Sequence, residues 1–262
     1  MIVQYIKELK QYKDLLYVIT WREIRIRYKQ SIMGFLWAIL MPLLIVSAGV
    51  FVRYALSRLT GKAMQFSDVA SITVKAIPYS FFISSIRFGT LSLTANTNLV
   101  TKIYFPKEIF PISAILAQFF DFLVALPVAI VLLSLGRIGI SPYAFWILPL
   151  IILLVMLTMA LSFFLSAANL FLRDIKYLVE VFITFAIFFT PVFYDSALAG
   201  KYEWIILLNP VAPVLEALNS CIVLQKAPAL PWILYSTAVT LVGMWMSITF
   251  FKKLESKFAE SI

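Results

Sequence analysis

The sequence predicts an all-α membrane protein with six transmembrane helices, an N-terminal amphipathic helix at the interface and a re-entrant helical hairpin before the last span. Three observations lead there. The 262 residues are 62% hydrophobic and only 13% charged, with a mean hydropathy of +0.95, more apolar surface than a water-soluble core of this size can hide. The apolar residues fall into stretches long enough to cross a hydrocarbon core of about 30 Å at ~1.5 Å per residue. Most lysines and arginines lie in the segments that join those stretches.

Composition excludes several chemistries. A single cysteine, Cys221, rules out an intrachain disulfide, and the absence of histidine removes the commonest metal ligand and general base. Catalytic residues and bound metal are therefore not expected. The formal charge of +9 is read as membrane anchoring rather than nucleic-acid binding, because the basic residues flank apolar spans. Met1 to Thr20 carries Lys7, Glu8, Lys10, Lys13 and Asp14 where a cleavable signal needs an apolar run.

Residues 1–31 are expected to form a cytoplasmic amphipathic helix and basic segment. From Gln4 to Ile19 a helix places Tyr5, Leu9, Tyr12, Leu16 and Ile19 on one stripe. Trp21, Arg22, Arg25 and Arg27 follow as an interfacial anchor beside the first span. Residues 32–194 hold five spans. Ile32 to Val52 runs 21 residues without a charge, and its Pro42 is tolerable where neighbouring helices satisfy the freed carbonyl. A polar connection is expected from Arg53 through Gly61 to about Lys75. The second span starts near Ala76, is interrupted by Arg87 and is rich in Ser80, Ser84, Ser85, Gly89, Thr90 and Ser92, a composition suited to packing against protein or lining a polar cavity. Spans three to five are expected at Ile109 to Leu135, Phe145 to Leu172 and Tyr177 to Phe193. Residues 195–229 are read as external re-entrant helices, since Asn209, Pro210, Pro213 and Glu216 break an apolar run too short to cross twice. Residues 230–251 form the sixth span and 252–262 a cytoplasmic tail.

With six spans, the N-terminal segment, the 96–108 connection, Arg173 to Lys176 and the tail share one side and carry 14 of the 22 Lys and Arg residues. The positive-inside rule then places both termini in the cytoplasm, as in a multi-pass protein of the cytoplasmic (inner) membrane. Arg87 is left within the membrane and needs a partner; Asp121 in the next span is one candidate, a diphosphate another.

No phosphate-binding Gly-x-x-x-x-Gly-Lys-Ser/Thr loop occurs, so the chain has no such route to ATP hydrolysis, and it lacks the paired deep carboxylates of a proton-coupled carrier. Trp21-Arg22-Glu23-Ile24-Arg25-Ile26-Arg27-Tyr28-Lys29-Gln30-Ser31 leads into Gly34-Phe35-Leu36-Trp37-Ala38 and Pro42. Further on come Asn98-Leu99-Val100-Thr101-Lys102-Ile103-Tyr104-Phe105-Pro106-Lys107-Glu108, Phe171-Leu172-Arg173-Asp174, Thr190-Pro191-Val192-Phe193-Tyr194 and Asn209-Pro210. Together these motifs resemble the ABC-2 type permeases that export polysaccharides and polyol phosphates, over essentially the whole chain. The resemblance implies a non-enzymatic transport subunit that forms a homodimer, pairs with two copies of a separate ATP-binding subunit holding ATP and Mg, and exports a lipid-linked glycan such as an O-antigen on undecaprenyl diphosphate. It also implies coupling to the ATPase through Lys102, Tyr104, Phe105, Pro106, Lys107 and Glu108. Tyr104-Phe105-Pro106 reads physically as a stiff aromatic knob for a partner's groove, with an interfacial belt as the other reading.

Tyr79, Phe82 and Phe88 are expected to line the glycan path, because aromatic faces stack on the C–H surface of sugars; helix packing is the competing use of the same rings. Arg53 and Arg58, at the outer end of span one, are candidates for receiving the lipid diphosphate or for a gate. The alternatives to glycan export are an ABC-2 exporter of a drug or other small substrate and, from another class, a secondary carrier or channel.

Overall fold

The computed structural model describes residues 11–29, 36–61 and 63–258, which form ten α-helices and three short 3₁₀ turns with no strand. The helices are α1 (Lys13–Lys29), α2 (Leu36–Thr60), α3 (Phe66–Leu91), α4 (Thr97–Lys102), α5 (Ile109–Leu135), α6 (Ile147–Phe171), α7 (Ile175–Phe189), α8 (Glu203–Leu207), α9 (Val211–Ile222) and α10 (Leu230–Glu255). Five of them, α2, α3, α5, α6 and α10, are long and apolar enough to cross a bilayer. The protein is therefore a multi-pass, all-helical membrane protein.

Helix α3 is the centre of the bundle: 72% of its apolar window is buried, against 22% for α2 and α10. It packs against α2, α5, α6, α7 and α9. Its small and hydroxylated residues make that possible. A Cβ added at Gly89 would sit 2.5 Å from the Ser162 hydroxyl of α6, so the two helices approach closely only because Gly89 has no side chain.

The connection expected between Arg53 and Lys75 is much shorter in the fold. Helix α2 continues to Thr60, Gly61 turns the chain at φ +70°, and α3 begins at Phe66. A capping box starts α3: the Asp68 carboxylate accepts from the Gln65 backbone N–H at 2.9 Å. Of the charges that suggested a loop, Arg53, Asp68 and Lys75 are paired within the fold, and Lys75 lies in α3 at 1% exposure.

The N-terminal helix also differs in extent. Residues 1–10 and 30–35, which hold Tyr5 and Leu9 of the Gln4 stripe, the Gly34-Phe35 motif and the expected start of span one, lie outside the described residues. From Lys13 the helix runs without a break through the basic segment to Lys29, with Ile19 and Ile24 buried and α5 as its principal neighbour. Tyr12, Leu15, Leu16 and Ile19 join Val100, Phe105, Phe110, Phe163, Phe251 and Phe258 in a compact apolar cluster. We call this the proximal end, because both described termini meet there.

At the opposite, distal end the chain leaves α7 early. Thr190 is extended (φ −116°, ψ 131°), as the residue before Pro191 must be, and this ends α7 after 15 residues, about 22 Å of rise. A 3₁₀ turn over Ser196–Tyr202, then α8 and α9, fill the space before α10. Helix α9 has 12 residues, and Val211 to Leu215, Ala217 to Asn219 and Cys221 are buried. It packs on α3, α6 and α10, so this short helix is shielded by protein.

Candidate translocation and coupling sites

Three arrangements bear on function. The first is a cavity of about 480 Å³ bounded by α1, α2, α3, α5 and α7. Trp37, Tyr79, Phe81, Phe88 and Phe122 supply aromatic walls, while Arg27, Tyr28, Arg87, Gln118 and Asp121 supply polar ones. Of the rings expected to line a glycan path, Tyr79 and Phe88 both border this cavity. Phe82 does not: Phe81, one residue earlier, takes the wall position, although both rings are buried in the main core. Because α3 is surrounded by helices, adjacent aromatic residues on it face different neighbours rather than one face being free.

The ion pairs around this cavity correct the expected match of Arg87 with Asp121. Arg87 makes a two-pronged contact with Glu180 of α7, Nε to Oε1 at 2.7 Å and Nη2 to Oε2 at 2.9 Å. Asp121 is instead held by α1: Arg27 Nη1 donates to Oδ2 at 2.6 Å and the Tyr28 hydroxyl donates to Oδ1. Burial and the neighbouring Asp121 carboxylate push the Tyr28 phenol well above its usual pKa. The Arg27 guanidinium also lies 4.5 Å over the Phe88 ring.

The four expected anchor residues therefore divide. Trp21 is 42% exposed with Arg25 5.6 Å above its ring, a pair facing outward, whereas Arg22 bonds to Asn96 and Arg27 to Asp121. A helix with a basic face reads from sequence as surface-bound, yet two of its arginines find carboxamide and carboxylate partners in the bundle.

The second arrangement is the proximal segment 97–108. After α4 the chain becomes extended at Ile103 (φ −126°, ψ 135°), so successive side chains point to opposite sides. Tyr104 projects fully, at 99% exposure, and Phe105 turns inward at 5%, 5.5 Å from the Phe110 ring. The aromatic knob is thus Tyr104, while Phe105 supports it from the core. Lys107 donates its backbone N–H to Glu255 at 2.9 Å, and its ammonium sits 4.4 Å from the Phe105 ring. Glu108, 1% exposed, pairs with Lys252 at 2.7 Å. Burial and the nearby Glu255 hold the Glu108 carboxyl above its usual pKa, against the opposing pull of Lys252. Burial likewise lowers the Lys107 pKa, with Glu255 opposing. Lys102 and Pro106 line the same groove of about 780 Å³, beside Tyr12 and Phe258.

The third arrangement was not foreseen from sequence. At the distal end Arg53 binds Asp68 at 2.8 Å and Asp195 at 3.2 Å, and Lys75 donates to the Tyr194 carbonyl at 2.7 Å and Asp195 at 3.2 Å, with Glu216 at 3.5 Å. Arg53 is thereby committed to carboxylates, which leaves it poorly placed to receive a diphosphate. Arg58 is exposed and bonds the Tyr54 hydroxyl at 2.7 and 3.1 Å, one turn back on α2. The signal available in sequence was the isolation of Lys75, Asp195 and Glu216, single charges in otherwise apolar segments.

Comparison with known proteins agrees with this architecture. Residues 14–223 match the family described as ABC-2 type transporter. An O-antigen export system permease protein RfbA from Klebsiella pneumoniae is 30% identical over 256 residues, covering 94% of each chain. Another RfbA of the same description, from Myxococcus xanthus, is 26% identical over 267 residues, covering 99% of this chain and all of its own. With a family match across most of its length and a bundle of membrane-length helices to carry it, the chain belongs to the ABC-2 type transporter family.

Proposed function

We propose that this chain is the membrane permease subunit of an ATP-driven exporter that moves a lipid-linked polysaccharide of the O-antigen type across the cytoplasmic membrane. The full-length likeness to O-antigen export permeases supports the substrate class. The observation that carries the mechanism is Tyr104: a fully exposed aromatic residue on a short turn, at the rim of a groove, at the end where both described termini meet. An apolar residue so exposed, braced by Phe105 beneath it, suits a contact with another protein. We assign that partner as the separate ATP-binding subunit, present in two copies beside a homodimer of this chain, with ATP and Mg bound on the partner. This end is then cytoplasmic.

In this reading six helices cross the membrane, with α7 as the shortest, and residues 195–229 form a re-entrant hairpin on the outer side. The cavity edged by Tyr79, Phe81 and Phe88 opens onto the glycan path, where aromatic faces stack without demanding one sugar identity. Co-purification with a candidate ATP-binding subunit, followed by ATP-dependent movement of an undecaprenyl diphosphate-linked oligosaccharide in vesicles, tests the proposal. Movement by this chain alone, or none with the partner and ATP present, overturns it.

A further inference from the structure

We propose that a pocket at the distal end binds a neutral, hydroxyl-rich sugar unit. The pocket has a volume of about 390 Å³, within the range of ~300–1,000 Å³ usual for small-molecule sites, and lies between the 3₁₀ turn after Asp195, α9 and the start of α10. Its polar lining is dominated by acceptors, Asp195, Glu203 and Glu216 with the amide of Asn219, beside the hydroxyls of Ser196 and Ser220, and Trp232 adds an aromatic side.

Asn219 points to a ligand. Its side chain is 2% exposed, and its Oδ1 has no hydrogen-bond partner in the fold. Leaving a buried acceptor open is unfavourable, a cost that a donor entering the pocket relieves. The neighbouring carboxylates hold spare capacity of the same kind. Oε1 of Glu203 accepts from the Ser196 hydroxyl at 2.7 Å and Oε1 of Glu216 from the Ser196 N–H at 3.0 Å, while Oε2 of each has no hydrogen bond among the described residues.

Charge and geometry narrow the ligand class. Carboxylates oppose an anion, and among the described residues no group of three or more His, Cys, Asp or Glu side chains could hold a metal ion. What remains is a molecule with several hydroxyl donors spread over its rim and an apolar face for Trp232. That indole is held edge-on to Tyr235, with ring centroids 5.9 Å apart and planes at 87°, so its orientation is fixed in advance. Lys75 beneath, bonded to Asp195 and near Glu216, offsets part of the negative charge and keeps the acceptors in place. A sugar ring meets each of these demands. The inference rests on the exporter reading only for the source of that sugar, the glycan itself.

The test uses the full chain in lipid nanodiscs and saturation-transfer NMR with methyl glycosides of glucose, galactose and mannose and with N-acetylglucosamine. At least one is expected to receive saturation, weakened roughly tenfold by Asn219→Ala and by Glu203→Gln, the loss expected for one hydrogen bond to a charged or buried acceptor. Glu203 is only partly buried, so Glu203→Gln keeps the test sound if Asn219→Ala fails to fold. No saturation with any glycoside, equal saturation in wild type and Glu203→Gln, or displacement of the glycoside by calcium chloride overturns the inference. Glycoside binding with no vesicle transport would leave the pocket standing and remove the exporter reading; transport without binding would do the reverse.

Discussion

Arg27 of the N-terminal helix donates to Asp121, twelve residues into α5, across 2.6 Å, and Tyr28 bonds the other oxygen of the same carboxylate. One acid therefore fastens α1 against the bundle beside the aromatic cavity. The two side chains are about one-fifth exposed, so they are largely desolvated as well as paired.

Breaking that tie from one side strands the other charge. Arg27→Leu and Asp121→Leu are each expected to lower stability by about 1–3 kcal/mol, below the 3–5 typical of a fully buried pair because water retains some access. The double variant should recover part of the loss. Thermal unfolding of all four proteins in nanodiscs supplies the cycle, and simple additivity would show that the two groups do not interact.

Tyr104 and Phe105 are adjacent but should fail differently. Tyr104→Ala removes a side chain that touches solvent, so unfolding temperature should stay constant while capture of the ATP-binding subunit and export fall. Phe105→Ala empties a buried site and should cost about 3–5 kcal/mol. If Tyr104→Ala left both capture and export intact, the coupling role would pass elsewhere in the segment.

The proximal cluster should respond to pH through Glu108. Its folded pKa lies above the ordinary 4.5, so between those two values the folded state holds more protons than the unfolded one. Stability contributed here falls as pH rises through that window, and is regained on acidification from neutral pH. Glu108→Gln should flatten this part of a curve of unfolding temperature against pH. An unchanged curve would assign the dependence to other groups.

Packing of α3 against α6 should be sensitive to a single methyl. In Gly89→Ala the new Cβ would lie 2.5 Å from the Ser162 Oγ and 2.7 Å from its Cβ, so the helices must shift, at a cost of about 1–3 kcal/mol. Adding Ser162→Gly should restore most of the unfolding temperature. Full stability of Gly89→Ala alone would mean that α6 yields freely.

The sequence by itself determined the solvent, the helical class and most long helices. Apolar runs of twenty or more residues have one outcome in a bilayer, and the spans expected at Ile109 to Leu135 and Phe145 to Leu172 agree with α5 and the turn-plus-helix of α6 to within a residue. The small residues of α3 correctly marked it as packed against protein. The tertiary structure alone decided how charges were used. Lys75, Asp195 and Glu216 lie up to 141 positions apart, and Arg27 finds Asp121 across 94, so no local pattern joins them. In a low-dielectric interior each charge must be matched, but any of several carboxylates would satisfy that rule; which helix faces which fixes the partner. The same holds for rotation about a helix or strand axis. Phe81 rather than Phe82 reaches the cavity, and Tyr104 rather than Phe105 reaches solvent, because neighbouring side chains diverge and only the surrounding packing says which direction is open.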